Sequence, residues 1–269
     1  MKQIFTITAA QNTAVPIIIS VPHAGTEFPE QLDKQLNPRV RKYLDDTDWF
    51  VDRLYDFAPK LGITIIKANL SRWVVDLNRN PANAPLYNDG RLITSVTPTT
   101  DFFGNELYKS KDLVPDAQET AVRVATYFEP YHKKIKELLE VRKTQFGKVL
   151  LWDAHSIRHR VSTLHPTPFP DMILGNKDGE SAHPKLIDAA LTALRSSRYD
   201  IAHNAPFKGG YITRSFGVPS QNIHALQLEM NKILYMDDNE LFYNTERANR
   251  VKTLLEHTLK NLIETINDL

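Results

Sequence analysis

Two histidines stand at the ends of apolar runs. Lys148-Val-Leu-Leu-Trp-Asp-Ala-His-Ser156 spends four apolar residues, Val149 to Trp152, and then delivers Asp153 and His155. Pro16-Ile-Ile-Ile-Ser-Val-Pro-His-Ala-Gly25 has the same design and delivers His23 before a glycine. Two imidazoles at two strand ends suggest a metal site assembled by the fold, and a common catalytic arrangement is two His plus one carboxylate. The carboxylates at hand are Glu27, Asp46 and Asp48. Glu27 lies four residues after His23, in a loop. Asp48 opens a predicted helix, which fixes its direction, although helix capping is the competing use for the whole Asp45-Asp-Thr-Asp48 cluster. Asp153 projects to the same side of its strand as His155, placed either to support that imidazole or to bond a neighbouring loop.

Other residue types add to this set. Ser71-Arg-Trp-Val-Val-Asp-Leu-Asn-Arg-Asn80 frames a β-like segment with Arg72 and Arg79, and Asn78 precedes the second arginine. A guanidinium is a planar fork suited to carboxylate, and an adjacent amide adds a neutral donor. Beside a metal, one arginine would polarise a substrate carbonyl while Asn78 and Arg79 hold a substrate carboxylate. Glu229 closes His224-Ala-Leu-Gln-Leu-Glu229, where alternation puts Ala225, Gln227 and Glu229 on one face. A carboxylate there has the chemistry of a general base. Phe207-Lys-Gly-Gly-Tyr211 offers two glycines that permit close backbone approach to a ligand, with Lys208 as a further cation. Taken singly, each has a plain structural use: an edge-strand arginine, an exposed strand-end charge, a tight turn.

The elements that must position these groups follow from periodicity. Strands are predicted at 3–7, 15–21, 62–67, 149–152, 171–175, 199–203 and 224–230. Helices are predicted from Asp48 through Ala58, from 115 to 142 with Pro130 as a kink or break, from 184 to 196, and from 238 to the C-terminus. Residues 80–114 show no clear period and read as a cover or binding loop. Strands apolar on both faces, alternating with helices, imply a three-layer α/β/α domain over residues 1–269 with a mixed, mostly parallel sheet. Ligands of such sheets gather beyond the carboxyl ends of the strands, where His23, His155 and Glu229 fall.

Composition sets the bounds. The 269 residues include no cysteine, so thiolate zinc sites and disulfides are excluded and any metal must take His, Asp or Glu. Lys plus Arg number 33 against 32 Asp plus Glu, so no global field recruits nucleic acid or a membrane surface. No apolar run reaches membrane-spanning length, and the first residues are unlike a signal peptide, so a cytoplasmic protein is expected.

Val21-Pro-His-Ala-Gly25, Thr47-Asp-Trp-Phe-Val-Asp-Arg-Leu-Tyr55, Ser71 to Arg79, Asp153-Ala-His-Ser156, Asn204-Ala-Pro-Phe-Lys-Gly-Gly-Tyr211 and Leu226-Gln-Leu-Glu229 occur in that order. As an ordered set they closely resemble the N-formylglutamate amidohydrolase (N-formylglutamate deformylase) family. The resemblance implies a phosphorylase/hydrolase-like fold, as in the zinc carboxypeptidases and aspartoacylase, with one divalent metal ion: zinc, or else cobalt, manganese or iron. It makes His23 and His155 ligands, with Asp48 ahead of Asp46 as the third. It also makes Glu229 the base, Arg72 the carbonyl polariser, and Asn78 with Arg79 the carboxylate clamp. Lys208, Tyr211 and Arg214 are candidates for a second contact to a small dianionic substrate. The implied reaction is hydrolysis of N-formyl-L-glutamate to formate and L-glutamate, a late step of one histidine-degradation route. The rival readings are a deacylase or amidase for another N-acyl amino acid or small peptide, and a non-catalytic dicarboxylate-binding protein.

Overall fold

The computed structural model describes residues 3–86 and 94–269. Seven strands form one mixed sheet: β1 (Phe5–Thr8), β2 (Ile17–Val21), β3 (Thr64–Ala68), β4 (Val149–Ile157), β5 (Met172–Gly175), β6 (Ile201–His203) and β7 (Ile223–Asn231). Their order is β1-β3-β2-β4-β7-β5-β6, and β3, β2, β4 and β7 run parallel. β1 runs antiparallel to β3, and β5 runs antiparallel to β7 with β6 parallel to β5, so three strands depart from the central direction. The helices are α1 (Glu30–Asp33), α2 (Pro38–Arg41), α3 (Val51–Leu54), α4 (Ala117–Arg123), α5 (Glu129–Phe146), α6 (Pro184–Arg195), α7 (Tyr211–Phe216) and α8 (Thr245–Asn267). None of the described helices is long and apolar enough to cross a membrane.

The central strands are buried along their whole length because helices cover both faces. On one face Ile17, Ile19, Leu150, Trp152, Leu226 and Leu228 pack beneath α6 and α8. On the other, Ile18, Leu151 and Ala225 pack against Tyr131, Ile135 and Leu139 of α5. This second face changes character toward the carboxyl ends of the strands. Opposite one another on β4 and β7 stand Leu151 and Ala225, then Asp153 and Gln227, then His155 and Glu229. The side-chain period of two keeps all six on one surface, so the apolar floor under α5 continues directly into a polar patch.

Three predicted elements differ in detail. The helix expected from Asp48 to Ala58 shrinks to α3, whose N-cap position is Phe50 with φ 64° and no side-chain cap. The aspartates before it have other partners, described below, so capping chemistry is not what they supply. The expected break at Pro130 is instead one π turn over Val124–Phe128, which joins α4 to α5 with Pro130 in the first turn of α5. Proline has no N–H to donate, and a widened turn accommodates that gap without ending the helix. The C-terminal helix starts at Thr245 rather than 238, where the Asn244 side chain accepts from the Arg247 N–H at 3.0 Å. The loop predicted over 80–114 lies partly outside the described residues; of the rest, Lys111–Leu113 is a short 3-10 turn.

One buried polar contact pins β4 to the chain around α3. The Trp152 indole N–H donates to the Tyr55 hydroxyl at 2.9 Å, and neither residue is exposed. Tyr55→Phe should leave that N–H without a partner and cost about 1–3 kcal/mol. Urea denaturation checks this: the midpoint should fall with the slope unchanged, and an unaltered midpoint would show that the bond contributes nothing net.

Candidate metal centre and active site

The Nδ1 atoms of two imidazoles and a carboxylate oxygen meet at the carboxyl edge of the sheet. His23 follows β2 by two residues and His155 lies within β4; both are buried. The His155 Nδ1 is 3.1 Å from Asp48 Oδ2, and the His23 Nδ1 is 3.8 Å from the same oxygen. Asp48 is held in place by its own backbone, whose N–H donates to the His23 carbonyl at 2.9 Å. The far nitrogen of each ring is engaged by a second carboxylate: His23 Nε2 with Asp76 Oδ1 at 2.9 Å, His155 Nε2 with Asp153 Oδ2 at 3.0 Å. Such bonds fix the tautomer that leaves Nδ1 with its lone pair toward the centre.

These residues fit a divalent ion. The His23 Nδ1 is buried with no hydrogen-bond partner, an unusual state for a polar atom. One ligand atom from each of His23, Asp48 and His155 falls within a 4.8 Å group, the one such cluster among the described residues. Ligands about 2.0–2.2 Å from a tetrahedral ion stand a little over 3 Å apart, comparable with the separations measured to Asp48. Two imidazole nitrogens and one carboxylate suit zinc and several of its neighbours.

Burial and neighbouring charges shift all three groups. Burial pushes His23 down to about 4, with Arg72 adding to the effect. Burial acts on His155 the same way, but Asp153 and Asp48 outweigh it and hold its pKa well above the ordinary value. Asp48 stays below the usual carboxylate range despite its burial, because both histidines and Arg72 surround it. The His155 imidazole and the Asp48 carboxylate thus each favour the charged form of the other.

The remaining predicted residues divide into those at the cleft and those away from it. His23, Asp48, His155, Arg72, Asn78, Arg79 and Glu229 all line one cleft, with an empty volume of about 850 Å³ including its mouth. Leu86, Phe102, Leu164 and Phe207 form its apolar walls. Glu229 faces the cleft opposite His155, and burial raises its carboxyl to about 7, with His155 opposing and Asp48 adding to the rise. Arg72 is buried, donates to Asp76 Oδ2 at 2.6 Å, and stacks on Phe102 with 4.6 Å to the ring centroid. Arg79 donates through Nε to Thr94 Oγ1 at 3.2 Å. Asn78 is committed on both ends of its amide. Its Oδ1 accepts from the Ile212 N–H at 2.8 Å, and its Nδ2 donates to Gln227 Oε1 at 3.4 Å.

Lys208, Tyr211 and Arg214 are not in that lining. The Lys208 ammonium pairs with Asp178 at 2.8 Å on the surface. The Tyr211 ring packs against Phe128 and His132, and Arg214 donates to the Gly209 carbonyl at 2.8 Å. The expected close approach of the Gly209–Gly210 backbone is real, but its partner is protein: a Cβ on Gly210 would lie 2.2 Å from Asn78 Nδ2. Asp46 is also turned away, accepting from Trp73 Nε1 and from the Phe102 N–H, each at 3.0 Å. Glu27 pairs through its backbone with the chain at Asn69 and Ser71.

Two residues with no assigned role in the sequence complete the site. Asp76 is fully buried and contacts His23, Arg72 and the Asn78 N–H, the last at 2.9 Å. Gln227 accepts from the Gly210 N–H at 2.7 Å, which aims its amide nitrogen at Glu229 Oε2, 3.4 Å away. The signal for Gln227 was its place two residues before Glu229 on the same strand face. Asp76 carried only its spacing between Arg72 and Arg79.

The sequence profile described as N-formylglutamate amidohydrolase matches residues 15–236. The chain belongs to the N-formylglutamate amidohydrolase family. Among its relatives, the N-formylglutamate deformylase of Pseudomonas aeruginosa (strain PAO1) is 41% identical over 252 residues, covering 93% of each chain. That of Pseudomonas putida is 37% identical over 251 residues, covering 93% of this chain and 92% of its own. The crystal structure of N-formylglutamate amidohydrolase from Ralstonia eutropha JMP134 superposes with a TM-score of 0.81 at 26% identity, over 99% of both chains. A gene product of Agrobacterium tumefaciens shares the fold, with a TM-score of 0.71 at 18% identity. Membership of the amidohydrolase family thus covers every strand of the sheet that carries a cleft residue.

The two aspartates make opposite predictions. Asp48→Asn should weaken metal binding beyond the roughly 10–100-fold typical of a supporting residue. Asp46→Asn places an amide N–H against one of two N–H donors, so it should cost about 1–3 kcal/mol of stability and leave metal content intact. Metal analysis of both purified variants decides; loss confined to the Asp46 variant would reverse the assignment.

Proposed function

We propose that the protein, acting as one catalytic domain over residues 1–269, hydrolyses N-formyl-L-glutamate to formate and L-glutamate at the cleft between His155 and Arg79. The family supports the reaction class, and the Pseudomonas relatives, both N-formylglutamate deformylases, support the substrate. The observation that carries the reading is the meeting of His23, Asp48 and His155 in a cleft shared with Glu229, Arg72 and Arg79. The ligand set suits zinc, and cobalt, manganese or iron as well, and zinc is the ion we put first.

A divalent ion bound by these three residues supplies Lewis acidity, polarising a carbonyl and making water more acidic. The chain supplies the rest. Glu229, kept near neutrality by burial, is suited to take a proton from the attacking water and to return it to the departing amine. Its carboxylate is steadied by Gln227. Arg72 is a fixed cation beside the reacting carbonyl, able to stabilise the oxyanion as charge develops there. Its fixation by Asp76 means that little reorganisation is needed during attack. Arg79, less deeply buried, faces the outer cleft and offers a fork for a substrate carboxylate. The Asn78 carbonyl and Thr94 restrict that fork to one orientation. The apolar walls exclude bulk water and strengthen each of these interactions.

Steady-state kinetics on N-formylglutamate, beside N-formyl neutral amino acids, test the roles. A chelator should abolish formate release, and zinc or cobalt should restore it. Glu229→Gln should lower kcat by roughly 10²–10⁴-fold while metal and substrate still bind. Arg79→Lys keeps the charge but not the fork, so KM should rise and the preference for the acidic substrate should narrow. Arg72→Lys should act mainly on kcat. Full activity in the metal-stripped protein contradicts the metal centre. An unchanged preference in the Arg79 variant together with a near-normal rate in the Glu229 variant contradicts the assignment of base and clamp.

A further inference from the structure

Beneath the cleft lies a second charged assembly that the proposed reaction does not use. Three residues after His155, Arg158 donates through Nε to Asp45 Oδ1 at 2.8 Å and through Nη1 to Glu240 Oε2 at 2.8 Å. Three residues after Glu229, the Lys232 ammonium donates to the Asp45 main-chain carbonyl at 2.9 Å. Glu240 also accepts from the His159 N–H at 2.6 Å, and Asn231 Nδ2 meets His159 Nδ1 at 2.7 Å. Thus the ends of β4 and β7, each having delivered a cleft residue, each deliver a cation to the same corner of chain.

That corner is Asp45 to Asp48, and left-handed backbone flanks it on both sides. Leu44 on one side has φ 46° and Phe50 on the other has φ 64°, both left-handed without being glycine. Glu240, which braces Arg158, has φ 56°. Side chains disfavour this region, and such residues persist when surrounding contacts over-determine them. The contacts that do so here are unequal in kind. Arg158 and Asp45 are partly exposed, at 21% and 26%. Lys232 is 2% exposed, and a buried charge is costly unless it is paired or hydrogen-bonded, as here to the Asp45 carbonyl. Burial lowers its pKa, and Asp48 heads the groups that oppose the fall.

We propose that Lys232 and Arg158 are positioning residues for the third metal ligand. By gripping Asp45 from the ends of β7 and β4, they hold Asp48 at the separation from His23 and His155 that an ion requires. This rests on the metal centre proposed above. The grip sets affinity for the ion through the geometry of Asp48, and neither cation touches the substrate cleft.

The test loads the protein and its variants with Zn2+ or Co2+ alone and measures affinity by competition with a chromogenic chelator. Lys232→Met keeps an unbranched chain of similar length without the charge; it should bind the ion at least tenfold more weakly, as expected when support behind a ligand is lost. The visible spectrum of the cobalt-loaded variant should also change, a readout of ligand geometry that a merely less stable fold does not move. Arg158→Gln, at a partly exposed position, should act in the same direction and settles the matter if Lys232→Met fails to fold. Lys232→Arg, which keeps the charge, should recover part of the affinity. If wild-type protein binds the ion while both variants match its affinity and spectrum, the grip on Asp48 is overturned. If wild-type protein binds no ion, the metal centre itself falls, and this inference with it.

Discussion

A carboxylate with no access to solvent, Asp76, is the interaction on which the site depends. Removing such a charge from water costs several kcal/mol unless partners replace its hydration. Here they do: His23 Nε2 and the Asn78 N–H share one oxygen, and Arg72 takes the other with Arg79 3.8 Å away. Burial alone would raise its pKa, yet Arg72, then Arg79 and His23, overcome it and hold the group well below the ordinary value. A depressed carboxyl contributes stability above its unfolded pKa and loses it as pH falls toward the folded one. At neutral pH the contribution is therefore fully present. More important for the cleft, one anion contacts the His23 imidazole and both arginines, tying their positions to one another.

The sheet explains why that knot sits where it does. On the face covered by α5, Leu151 gives way to Asp153 and then His155, while Ala225 gives way to Gln227 and Glu229. The helix needs apolar partners only as far as it reaches. Beyond it, the same surface carries the polar groups, anchored by strands that have no freedom to fray. Ser20, next to Asp153 across β2 and β4, marks the boundary by bonding to Tyr131 of α5 at 3.1 Å. His155, Gln227 and Glu229 therefore stand on central strands, and apolar walls come from the segments around Leu86, Phe102 and Leu164.

Much of this was legible in the chain because β2 and β4 read as apolar runs that lead to His, and β7 as an alternating strand that leads to Glu. The mixed sheet with helices on both faces, and the family, follow from those runs and the motifs between them. What local pattern concealed was partnership at long range. The aspartates at 46 and 48 look like helix caps, because capping and ligation ask for the same short carboxylate. Only contacts with Trp73 and Phe102 on one, and with the two histidines on the other, separate their environments. Lys208 read as a cation for substrate, yet Asp178, thirty residues earlier, pairs with it at the surface. Asp76 was hidden for the same reason: its partner His23 lies fifty-three residues away, and spacing along the chain says nothing about that meeting.

The account is tested most directly by anomalous diffraction at the absorption edge of the resident metal, from crystals holding formate and L-glutamate. It predicts one strong peak bounded by His23 Nδ1, Asp48 Oδ2 and His155 Nδ1, with a glutamate carboxylate on the Arg79 fork and Glu229 facing the ion. A peak ligated by other residues, or active crystals with no peak between those three atoms, would contradict it.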